Sequence, residues 1–121
     1  MDEINDQNTP VSYFKNEIME FIKSRNWVKY HTPKNLIQAL MIEAAELSQC
    51  FLFKEDTIDY ILKDKILLAN ISDEICDVFI YLISLINVLG LDLTKAFIDK
   101  MEKNKKKYSE KEFNDGRYYK K

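Results

Sequence analysis

Two glycines and two prolines in 121 residues leave this chain few places to turn sharply. Sheet proteins use such residues at hairpin after hairpin, so their scarcity predicts long helices. The apolar residues recur at helical spacing. Val11, Phe14, Ile18, Phe21 and Ile22 form a first stripe that ends near Asn26, with Pro10 in the first turn and Thr9 or Asn8 as its cap. Thr32 followed by Pro33 marks a second start, and that helix reads to about Phe53. The segment KEDTIDYILKDK is either a loop with a short helix or the first turns of the next helix. From about Lys65, Leu68, Ile71, Ile75, Val78, Leu82, Leu85 and Leu89 predict a long helix facing one way, closed by a left-handed Gly90. Asp92 caps a last helix through Leu93, Ala96, Phe97 and Met101. The expected architecture is all-α, a bundle of four main helices. Residues 1–9 form a flexible N-terminus, 10–108 the domain, and 109–121 a polar, basic tail.

Composition narrows the function class. Hydrophobic residues at 46% and charged residues at 31% describe one soluble globular domain. A net charge of −2 exerts no pull toward nucleic acid. Lys103, Lys105, Lys106 and Lys107 read as a solvated helix end, favourable at the negative pole of its dipole. The most apolar run, VFIYLISLINVLGL, falls short of the ~20 residues a membrane span requires. The acidic N-terminus is unlike a signal peptide. Cys50 and Cys76 have no partner at metal spacing and read as reduced core residues of a cytoplasmic protein.

One residue breaks the pattern. The stripe of the second helix runs Leu36, Leu40, Glu43, Leu47, Cys50, with a carboxylate where an aliphatic side chain belongs. Glu46 sits one turn on, and the sequence EICD repeats the arrangement with Glu74 and Asp77. Residues three apart share a helix face, so each pair is a two-carboxylate claw beside an apolar stripe. Two unit charges ~4 Å apart repel by about 4 kcal/mol at an effective dielectric near 20. No lysine or arginine lies between residues 35 and 53 to offset this. Either the acids mark solvated faces, or they converge on a cation. All-oxygen ligands suit a hard ion, Mg²⁺ with Mn²⁺ possible. Facing helices of a bundle do build metal sites in this way.

Glu-x-x-Glu, 27 intervening residues and Glu-x-x-Asp on two helices resemble the MazG-like nucleotide pyrophosphohydrolases, nearest their dCTP pyrophosphatase branch. NWVKYHTPKNLIQALMIEAAEL, ISDEICDVFIYLISL and LDLTKAFIDKMEKNKKKY carry the resemblance over about residues 14 to 108. It implies hydrolysis of a nucleoside triphosphate to monophosphate and pyrophosphate. Glu43, Glu46, Glu74 and Asp77 would hold Mg²⁺, with Glu46 orienting the attacking water or taking its proton. Lys100, Asn104 and Lys54 would contact phosphate, and Tyr81 would edge the sugar or base. Trp27, His31 and Phe53 are rings placed to meet a base. The dCTP-selective members tend to carry Trp at Phe53 and His at Ile18, so this chain departs where base recognition is expected. The resemblance also implies a homodimer or homotetramer. The alternatives are the same chemistry on another base, such as dUTP, or a non-catalytic helical module that binds nucleotide or protein.

Overall fold

A computed structural model describes residues 3–121. Residues 1 and 2, part of the N-terminus expected to be flexible, lie outside the described range. The helices are α1 (Val11–Ser24), α2 (Pro33–Gln49), α3 (Ile58–Lys63), α4 (Lys65–Leu89) and α5 (Leu93–Lys107), with a 3₁₀ turn over Val28–Tyr30. Among the described residues there is no strand, and no single helix is long and apolar enough to cross a membrane. The four main helices expected are all present, and α3 is a short fifth. The ambiguous segment holds a short one, capped by Thr57, whose side chain accepts from the backbone N–H of Tyr60.

The cap residues set most boundaries. The Thr32 hydroxyl accepts from the N–H of Asn35, Asp64 from that of Leu67 and Asp92 from that of Lys95. Gly90 closes α4 at φ 65°. Two ends differ from expectation. At the start of α1, Pro10 itself occupies the cap position, without a side-chain bond. Asn8 instead accepts from the N–H of Asn5 in a turn upstream. At the end of α2, tighter bonds from Cys50 to Leu47, Phe51 to Ser48 and Leu52 to Gln49 stop the helix at Gln49. Phe53 then turns the chain at φ 58°.

The chain divides into two compact units, one ending at Gly90 and the other running from Leu91 to Lys121. In the first, α4 packs mainly along α2 and also against α1 and α3. Its core is Ile18 and Ile22 of α1, Leu36 of α2, and Leu67, Ile71, Ile83 and Ile86 of α4. The Asn87 amide ties α4 to α1 by donating to the Lys15 carbonyl, 3.1 Å. The expected stripe of α4 is buried only in part, through Ile71 in the core and the half-buried Val78 and Leu85. Leu68, Ile75, Leu82 and Leu89 are 37–52% exposed. Cys76 is exposed and Cys50 half-buried, so neither is a core residue; both are free thiols.

In the second unit α5 continues into turns. Tyr108 meets Phe113 and Tyr118, and Phe113 meets Tyr119, at ring separations of 4.9–6.3 Å. Glu112 accepts from the Tyr119 hydroxyl and the Lys121 ammonium. These two bonds hold the Glu112 carboxyl below its ordinary pKa.

Gly90 has open space where a Cβ would sit, so its substitution tests conformation alone. Gly90→Ala is expected to lower stability by about 1–2 kcal/mol, the cost of a left-handed non-glycine residue. Urea unfolding followed by circular dichroism, with an unchanged native spectrum, checks it.

Candidate active site

The two acid pairs sit where α2 and α4 face each other. Glu43 and Glu46 project from one side of α2, and Glu74 and Asp77 from α4, each pair three residues apart. Glu43, Glu46 and Glu74 each place a carboxylate oxygen within 4.8 Å of the other two. Glu43 Oε2 and Glu74 Oε2 are buried and accept no hydrogen bond. Buried oxygens of this kind are rarely left without a partner. Asp77 stands beside the three, in the wall of a neighbouring cavity that Glu43 also lines.

The electrostatics are those of crowded like charges. Glu43 is pushed up to about 7, first by burial, then by the adjoining Glu46 carboxyl and the charges of Glu46 and Asp77. Glu74 is raised too, by burial first and by the Glu46 charge, although its contact with Glu43 pulls the other way. Without a cation the cluster protonates instead of remaining fully ionised. The donor set, all oxygen and anionic, fits a hard divalent ion. The two orphaned oxygens are where such an ion would find ligands.

The cavity beside the cluster measures ≈ 460 Å³, within the range of small-molecule sites. Its far wall comes from the segment between α1 and α2. Asn26, left-handed at φ 61°, ends α1, and the Trp27 N–H reaches back to the Ile22 carbonyl at 3.1 Å. This turn carries the Trp27 indole onto the edge of Phe21, 5.8 Å between centroids. The 3₁₀ turn then delivers His31, whose Nδ1–H donates to the Trp27 carbonyl at 2.8 Å. Trp27, His31 and Tyr81 all line the cavity with Glu43 and Asp77.

Two of the other expected site residues lie outside this cavity. Phe53 is fully exposed in the turn after α2, and neither it nor Lys54 lines the cavity. Lys100 and Asn104 belong to α5 in the second unit. Sequence reasoning missed Glu17 and Ser84 as lining residues. Ser84 was readable, since it follows Asp77 by seven residues and Tyr81 by three on the same helix face. Glu17 gave no signal, because a glutamate beside an apolar stripe reads as solvated.

The chain is similar to several known proteins. The sequence profile of the MazG-like family matches residues 39–120. Mouse dCTP pyrophosphatase 1 is 37% identical over 93 residues, covering 74% of this chain and 53% of that protein. The human protein of the same name is 33% identical over the same span and coverage. The chain thus spans about half the length of these curated relatives. The crystal structure of a pyrophosphatase from Archaeoglobus fulgidus superposes with a TM-score of 0.74 at 34% identity, covering 88% of this chain and 99% of that one.

Burial and mutual repulsion raise the pKa of Glu43, so the folded state binds a proton that the unfolded state releases near 4.5. That contribution to stability is complete below about 4.5 and lost as pH rises toward 7. Metal-free protein is expected to melt at a lower temperature at pH 7.5 than at pH 5.5, and Mg²⁺ at the higher pH to reverse the loss. Calorimetry in chelator and in Mg²⁺ checks both parts.

Proposed function

This chain belongs to the MazG-like family, and we propose that it is a Mg²⁺-dependent nucleoside triphosphate pyrophosphohydrolase. It converts a dNTP of the dCTP type to the monophosphate and pyrophosphate, clearing unwanted nucleotides from the pool. The acidic cluster carries this reading, with three converging carboxylates and two buried oxygens that have no protein donor. The pyrophosphatase relatives support the reaction class. When bound, the cation, Mg²⁺ or Mn²⁺, supplies charge neutralisation for the triphosphate and Lewis acidity at its α-phosphorus.

The protein's own groups have separate tasks. Glu43, Glu74 and Asp77 serve as ligands. Glu46, the exposed member of the cluster, adds a ligand oxygen and orients the attacking water. As the water oxygen bonds to the α-phosphorus, Glu46 takes its proton. The bond from that phosphorus to the bridging oxygen breaks, and pyrophosphate leaves with the electron pair. The apolar cavity wall keeps bulk water from the base, while Trp27 and Tyr81 pack against base and sugar. Lys54, Lys100 and Asn104 are assigned to phosphate and Phe53 to the base through the resemblance.

The exposed face of α4 belongs to the same proposal. Leu68, Ile75, Leu82 and Leu89 recur every seven residues, the spacing of a helix-pairing seam, and Met41 and Ile42 add exposed apolar area on α2. A homodimer or homotetramer buries these faces.

Two experiments test the proposal. Pyrophosphate release should require a divalent ion, and Glu43→Gln should lower it by roughly 10²-fold or more with the helical spectrum intact. Retained activity in that variant removes the metal-site assignment, and ligand binding without turnover favours a non-catalytic module. Leu82→Glu should shift the sedimentation of the oligomer toward monomer, whereas a monomeric wild type defeats the assembly.

A further inference from the structure

The net charge of −2 averages two unlike parts. Residues 1–90 hold 14 acidic and eight basic residues, whereas residues 91–121, the second unit, hold six acidic and ten basic ones. The excess is steepest from Lys103 to Lys121, with eight basic residues and three acids. Two of those acids are already paired inside the segment: Glu112 accepts from Lys121, and Asp115 from Arg117 at 2.7 Å. Lys103, Lys106, Lys111 and Lys120 are exposed and meet no carboxylate among the described residues.

The same segment carries rings where other surfaces carry aliphatic groups. Its apolar side chains are Tyr108, Phe113, Tyr118 and Tyr119 alone. Their mutual packing fixes the turns, and the Lys121 backbone N–H closes them by donating to the Tyr108 hydroxyl at 3.0 Å. Tyr118 leans on Tyr108 with ring planes 25° apart and is still 77% exposed, so most of its ring faces solvent. Cations already sit over rings here: Lys107 Nζ lies 5.5 Å from the Tyr108 centroid, and Lys121 Nζ 5.7 Å from that of Phe113.

We propose that residues 103–121 form a docking surface for single-stranded nucleic acid. The unpaired lysines neutralise successive phosphates, and the open face of Tyr118 stacks on an unpaired base. An anionic membrane would call for aliphatic side chains among the lysines, and the segment has none. A duplex keeps its base faces stacked on one another, out of reach of a tyrosine ring. Because the turns are already held, little ordering opposes binding. The inference is independent of the pyrophosphohydrolase reading and uses none of the groups assigned to that reaction.

The test is fluorescence anisotropy of short labelled oligo(dT) and oligo(U) strands with the full chain. Both should bind, since every base has a π-face, and affinity should fall about 50-fold between 50 and 200 mM salt, the release expected for four phosphates. Tyr118→Ala should weaken binding about tenfold with the salt slope unchanged, and Tyr118→Phe should restore it. Lys106→Ala with Lys111→Ala should instead flatten the slope. A measurement on the wild type guards against misfolding: an abasic strand of equal length should bind at least about tenfold more weakly. The α,β-imido analogue of dCTP with Mg²⁺ should leave the strand bound. No binding at 50 mM salt, equal binding of abasic or duplex DNA, loss in Tyr118→Phe as deep as in Tyr118→Ala, or displacement by the analogue overturns the inference. So does binding to phosphatidylserine vesicles that depends on Tyr118 when strand binding does not.

Discussion

Repulsion among carboxylates in the seam between α2 and α4 is the constraint on which the rest of the site depends. The same two helices supply most of the packing of the first unit, so the seam must be close enough to bury leucine and isoleucine. Close helices force Glu43, Glu46 and Glu74 within 4.8 Å of one another. An apolar seam would be more stable by itself. The protein instead holds an unfavourable charge cluster that protonation or a cation relieves, and two of its buried oxygens have no protein donor.

The cavity follows from the geometry of that seam and of one turn. Asp77, Tyr81 and Ser84 continue the acid face along α4, so a wall extends away from the cluster without a further element. Asn26 in the left-handed region folds the chain back, and the carbonyl of Trp27 then fixes the ring of His31. A triphosphate spanning cluster and cavity would meet acid-bound charge at one end and aromatic surface at the other.

Much of this was legible in the sequence because its signals are local. Thr32–Pro33, Gly90 and Asp92 mark boundaries through their own backbone chemistry. The i, i+3 acids declare a shared face, and Glu43 declares which stripe it interrupts. The misses have physical causes. The α4 segment is apolar nearly all round, so periodicity alone does not say which face meets its own chain. Of the expected stripe Ile71 does lie in the core, but Leu68, Ile75, Leu82 and Leu89 are exposed, and Leu67, Ile83 and Ile86 join the core from outside it. Phe53 read as a helix end, but a run of shorter-range bonds ends α2 four residues earlier. The segment after α5 read as a polar, basic tail, with no sign of how it orders. Four rings contacting one another hold it in turns, through pairings that no fixed spacing announces.

Asp64 closes α3 and caps α4 with the same residue. There is no slack between those helices: a single inserted residue would rotate one against the other by about 100° and strand the cap. The length of the chain is therefore locked at that point, while the turns from Cys50 to Asp56 carry no such double duty. Natural insertions, engineered tags and proteolytic cuts should accumulate in those turns and spare the junction at Asp64.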